Sequence, residues 1–150
     1  MDAAWRKLTQ QQAGRADSAI QFMRRARHIP GMSARYGPER LRVYHLALLV
    51  AREIDALLAS LGCRGSLADQ LTRCAESGVL NIAEGAAHRA CRRKLYHYQI
   101  ALASCGECIG GLDRLRDRYP NADIRIVRRH ANMMSVMLAA LIRTTEAREL

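Results

Sequence analysis

Four stretches of this chain repeat one spacing, and that spacing leaves few folds open. From Glu39 to Leu61 the apolar residues Val43, Ala47, Val50, Ile54, Leu57 and Leu61 step by three and four, until Gly62 and Gly65 halt the pattern. A second run starts at Ser66, a predicted N-cap with Asp69 three residues on, and carries Leu67, Leu71, Cys74, Gly78, Ile82 and Gly85. The third, Ala90 to Tyr119, keeps Tyr98, Ala101, Cys105, Cys108, Leu112, Leu115 and Tyr119 in step before Pro120 and Asn121. The fourth, Ala122 to Arg148, repeats the alternation with Ile124, Val127, Ala131, Met134, Leu138, Leu141 and Thr145. An average step of about 3.5 residues holds one helix face toward partners packed at a shallow angle. Four such helices joined by short loops predict an all-α, up-down-up-down four-helix bundle over residues 39–150.

With one Phe, one Trp and five Tyr in 150 residues, the core must be aliphatic, with Ala and Met, which favours helices over a β-sandwich. Residues 1–38 break the pattern with Gln10-Gln11-Gln12, Pro30, Gly31, Gly37 and Pro38. They predict a flexible basic N-terminal extension, or a short helix near Ala16–Arg27 that could act as a nucleic-acid-binding arm. The longest apolar stretches, Val43–Ala51 and Met133–Ile142, fall well short of the ~20 residues that cross a bilayer. Nothing at the N-terminus has the apolar segment of a secretory leader, and the five cysteines are an odd number. The expectation is a soluble, cytoplasmic chain with reduced thiols.

Two of the helices carry more apolar surface than one bundle uses. Leu46, Leu48 and Leu49 lie off the seam of the first, and Met133, Val136, Met137, Ala140 and Ile142 off that of the fourth. A bundle helix needs one apolar stripe, so the surplus predicts burial against further copies of the chain, a homo-oligomer.

Lys and Arg number 24 against 14 Asp and Glu, a net charge of +10, and every basic residue except Lys7 and Lys94 is Arg. That excess suits a polyanion, either RNA or DNA. Up-down order puts the starts of the first and third helices and the ends of the second and fourth at one end of the bundle. There it gathers Arg40, Arg42, Arg89, Arg92, Arg93, Lys94 and Arg143, with His88 and Arg148, against Glu39, Glu146 and Glu149. Cations at a helix start oppose the macrodipole, while phosphate is favoured there. The seven named Arg and Lys residues are therefore the candidate nucleic-acid-binding set. The alternative is a protein-interaction platform, for a partner such as a polymerase or reverse transcriptase, with the charge incidental.

No reaction is legible. Cys105-x-x-Cys108 falls mid-helix on the core seam rather than at a helix start, where a thiol would be activated, so it reads as seam filling. Cys91, His88 and His97 lack a zinc spacing, and the paired Glu-x-x-His of di-iron bundles is missing. His97 and His130 read as lone histidines on basic or polar surfaces. Gly110-Gly111 reads as a close helix approach or a kink, without the Lys and Ser/Thr of a phosphate loop. The expectation is a non-enzymatic chain with no catalytic residues, metal or cofactor.

The most specific segment is Asn81-Ile82-Ala83-Glu84-Gly85. Arg73, Ser77, Asn81, Glu84 and His88 recur at helical spacing, a polar stripe on a helix whose other side is core. A buried carboxylate must be paired, so Asn81 and Glu84 are expected to bond to neighbouring helices, with Arg73 the candidate counter-charge. Gln70-Leu71-Thr72-Arg73 precedes this run, and Ile100-Ala101-Leu102-Ala103-Ser104 and Glu107 follow it. Together they closely resemble the bacterial four-helix bundle family encoded in intervening sequences of 23S ribosomal RNA genes, over about Glu39 to Thr145. Val79, Ala103 and Cys108 stand where that family often has Pro, Gly and Leu, and Arg92-Arg93-Lys94 where an acidic-aromatic pair is common. Arg73, Asn81, Glu84, Gly85 and Glu107 make up the structural motif. The resemblance implies a ring-shaped homopentamer and no enzymatic activity. The family is in turn similar to accessory proteins of diversity-generating retroelements, whose basic barrels bind nucleic acid and a reverse transcriptase.

Overall fold

A computed structural model describes residues 37–148, so the expectations for the N-terminal extension, its short helix included, lie outside the described residues. A 3-10 turn, Pro38–Arg40, leads into helices α1 (Arg42–Leu61), α2 (Ser66–Ala87), α3 (Cys91–Arg118) and α4 (Arg125–Glu146), with no strand among the described residues. Each helix packs on its neighbour in the chain, α4 closes on α1, and neither diagonal pair meets. The register shows the directions. Cys74 faces Cys108, Ser77 faces Ser104 and Asn81 faces His97, so α2 and α3 run antiparallel. Arg128 with Asp113 and Ser135 with Cys105 do the same for α3 and α4. This is the up-down-up-down bundle expected.

Helix ends fall where backbone chemistry permits. Gly62, at φ 57°, closes α1 with its amide donating to the Ala59 carbonyl, while Cys63 donates to Leu58. Ser66 is the first residue of α2 rather than its cap. Gly65 occupies the capping position at φ 85°, a left-handed turn that serine would resist. The first helix begins at Arg42 because Pro38–Arg40 forms the tighter turn. The fourth begins at Arg125, later than Ala122, because the Asp123 carboxylate accepts the Arg125 backbone N–H at 3.2 Å.

Leu46, Ile54, Leu71, Ile82, Leu112, Leu115 and Leu138 are sealed from solvent and form the core between the helices. The sequence seams are correct at most positions and slip at four. Leu58 rather than Leu57 is buried on α1, Ala68 rather than Leu67 on α2, Ile142 rather than Leu141 on α4, and Leu46 belongs to the core rather than to an outer face. A straight helix drifts about 20° per heptad against a strict 3.5-residue repeat, enough to rotate a neighbouring residue inward. Cys105 and Cys108 fill the seam as expected; Cys108 lies 2.8 Å from Cys74, and this bond and burial push the Cys108 thiol up. Close approach occurs at Gly111, where an added Cβ would sit 2.8 Å from Leu71 Cδ2, whereas Gly110 faces open space. On α4, Val136 is 69% and Met133 43% exposed.

Candidate nucleic-acid interface

The structural motif runs along the α2–α3 contact. Gln70 Nε2 donates to Glu107 at 2.8 Å, and Arg73 donates to Gln70 Oε1 at 3.1 Å. Ser77 and Ser104 share a 2.8 Å bond, and Asn81 Nδ2 donates to the Ser77 carbonyl. His97 Nδ1 reaches Glu84 Oε2 at 3.0 Å and Asn81 Oδ1 at 3.1 Å. Both of these are acceptors, so Nδ1 carries the proton. Two expectations are thereby corrected. Glu84 is an exposed carboxylate, its side chain 59% accessible, and its partner is His97 rather than Arg73. Arg73 lies three turns away along α2, and Gln70 already engages it. His97 is no lone histidine, and neither is His130, whose Nδ1 sits 2.8 Å from Glu53 and ties α4 to α1. Gly85 completes the motif by letting the Tyr98 ring lie directly on α2.

The bundle's topology brings the seven candidate cations to one end. Arg40 ends the 3-10 turn, Arg42 opens α1, Arg89 lies in the α2–α3 loop, Arg92, Arg93 and Lys94 form the first turn of α3, and Arg143 lies in the last turn of α4. All are exposed except Lys94, which is half-buried. No side chain caps α3, and its first turn holds no acidic residue. Among the described residues no ion pair involves Arg42, Arg92, Arg93, Lys94 or Arg143.

The opposite end is equally rich in arginine, and four of its seven arginines meet aspartates, while Arg64, Arg118 and Arg129 have no ion pair among the described residues. Arg114 meets Asp117 at 3.5 Å, Arg116 meets Asp113 at 3.7 Å, and Arg125 meets Asp123 at 2.8 Å. Arg128 grips both Asp113 oxygens, at 2.8 and 3.0 Å. Hydrogen bonding to Arg128 holds the Asp113 carboxyl below its ordinary range, and Arg125 does the same to Asp123. A carboxyl lowered on folding stabilises above its unfolded pKa, and that contribution vanishes as pH falls through the folded value. Urea melts of Asp113→Asn should therefore show lower stability than the parent at pH 7, the two converging below about pH 4. A gap unchanged at low pH would refute this.

This contrast between the two ends was not visible in composition, which counts arginines without pairing them. Among the described residues no group of three His, Cys, Asp or Glu side chains is placed to hold a metal ion, and no helix is long and apolar enough to cross a membrane.

Comparison with known proteins bears on the same region. A family model described as 23S rRNA-intervening sequence protein matches residues 39–140. A search of curated proteins finds no match. A crystal structure of a protein of unknown function from the S23 ribosomal protein family of Bacteroides thetaiotaomicron aligns with a TM-score of 0.62 at 19% identity. The alignment covers 67% of this chain and 95% of that one, a likeness of fold.

Proposed function

Because the chain belongs to the 23S rRNA-intervening sequence protein family, we propose that it works as a non-enzymatic, multimeric nucleic-acid-binding accessory, gripping phosphates with one end of the bundle. The observation that carries this reading is the asymmetry of pairing. Aspartates pair with Arg114, Arg116, Arg125 and Arg128 at the far end and leave Arg64, Arg118 and Arg129 without an ion pair, whereas at the near end none of Arg42, Arg92, Arg93, Lys94 and Arg143 has a carboxylate partner among the described residues. Self-repulsion and an unfavourable dipole at the start of α3 both cost stability, and an anion relieves both. Multimerisation is supported by Met133, Val136 and Met137, which with Arg125, Arg128, Arg129 and Asn132 line an open groove of about 580 Å³ on α4. A ring or cluster of copies would set several cationic ends side by side, in a cytoplasmic setting.

Fluorescence anisotropy with a labelled single-stranded RNA tests the reading. Affinity should fall steeply with salt, and replacing Arg89, Arg92 and Arg93 together by Ser should lower the log–log salt slope by about 2, at ~0.7 per phosphate contact. Binding that is absent, or insensitive to salt, overturns it. That result would favour a protein-interaction platform, which the exposed face of α4 would serve.

A further inference from the structure

One aromatic ring stands inside the cationic end. Tyr96 is 62% exposed although the chain has only seven Phe, Tyr and Trp residues with which to build a core. It is nonetheless held in place. Its edge meets the His97 ring at 5.3 Å and 81°, and His97 stacks on His88 at 5.1 Å and 18°. The bonds from His97 to Glu84 and Asn81 anchor this row of rings to α2. Residues three and four apart are neighbours on a helix surface, so Arg92 and Arg93 flank Tyr96 on one side and the exposed Gln99 on the other. Along the outer face of α3 the order is guanidinium, aromatic ring, side-chain amide.

That order matches what an unpaired strand presents: a phosphate, the flat face of a base, and a base edge. A duplex offers its phosphates but hides its base faces in the stack, so an exposed ring gains nothing from it. We propose that this patch binds single-stranded nucleic acid, with one base stacked on Tyr96 while Arg92 and Arg93 hold neighbouring phosphates. This rests on the polyanion reading above and adds to it the form of the strand. Tyrosine beside arginine also serves in protein contacts. An α3 first turn with three cations and no acid favours the polyanion.

The test compares the full chain with Tyr96→Leu and Tyr96→Phe at one fixed low salt concentration. The probes are an oligouridine of about 12 nucleotides, within the span of one binding groove, and an RNA duplex of equal length. The parent should prefer the oligouridine. Tyr96→Leu should weaken that binding by about 5- to 100-fold and leave the duplex unaffected, while Tyr96→Phe should match the parent because stacking needs the ring and not the hydroxyl. Tyr96 is exposed, so circular dichroism of both variants should match the parent. If Tyr96→Leu binds oligouridine as the parent does while the triple Arg→Ser variant does not, the stacking site is wrong and the polyanion reading stands. If the parent binds neither probe, both fall. A Tyr96→Leu variant whose sedimenting mass changes while its oligouridine affinity does not would assign the ring to a protein contact and overturn the proposal.

Discussion

Replacing Gly85 by Ala should destabilise the bundle by about 2 kcal/mol, although alanine is the better helix former. An added Cβ would lie 2.7 Å from Tyr98 Cδ1 and 3.2 Å from Cζ, and would run into Cε1 as well. The ring cannot swing away, because Tyr98 is 2% exposed and packed on every side. Overpacking of this kind costs up to about 3 kcal/mol, and the helical preference of Ala over Gly returns about 1 kcal/mol. Gly106→Ala and Gly110→Ala supply the control, since a Cβ at either position meets nothing within 4 Å. Each should stabilise by roughly 0.5–1 kcal/mol through propensity alone. Thermal melts should thus separate Gly85→Ala from the two controls by about 10 °C, at ~4 °C per kcal/mol for a domain of this size. Adding Tyr98→Leu to Gly85→Ala should recover part of the loss, giving the coupling expected of two groups in contact. A Gly85→Ala variant as stable as the parent would mean that Tyr98 does not lie on α2 as described.

The Gly85–Tyr98 contact shows where sequence reasoning reaches and where it stops. The fold was legible because helix periodicity is a property of the chain itself, and Gly and Pro mark the breaks. The slips at Leu57 and Leu141 have the same origin: a strict alternation counts 3.5 residues per turn, and the helices wind closer to 3.6. The cationic end was legible too, since antiparallel order converts chain position into a shared end. Pairing was not. Asp113 meets Arg128 across an inter-helix loop, and no spacing rule on one helix connects them. A signal did exist for the His97 contacts. Glu84 and His97 lie equally far on either side of the Ala90–Cys91 bond, as do Ser77 and Ser104, so folding the sequence about the α2–α3 loop pairs them. Tyr96 lies two residues before the seam residue Tyr98, so helical spacing already turns it to the outer face of α3, where it is 62% exposed against 2% for Tyr98.

Val136→Glu should turn an assembly into single subunits and, with no cation removed from the basic end, weaken binding to a long RNA by about 100-fold. Val136 is 69% exposed, with Met133 one turn before it at 43%, and neither has a place in the bundle core. Scattered exposed apolar residues need no explanation. A valine and two methionines lining one groove on a single helix do, because contiguous apolar patches mark contact surfaces. Glutamate suits an exposed helix position better than valine, so the subunit's own fold should be intact or slightly firmer. A charge at position 136, between Met133 and Met137, would in contrast have to lose its hydration on assembly, at a cost of several kcal/mol. The consequence for binding follows from geometry. A strand that spans several subunits engages the second cationic end at the high effective concentration set by the first, which raises avidity by about 10² to 10⁴ without any new contact. An oligonucleotide short enough for one subunit gains nothing of the kind, so its affinity should be equal for parent and variant. Sedimentation at micromolar concentration gives the mass, and anisotropy with a long and a short RNA gives the two affinities. A parent that sediments as one 16.8 kDa subunit would remove the multimer from the reading. A monomeric Val136→Glu that still holds the long RNA as tightly as the parent would show that each basic end acts alone.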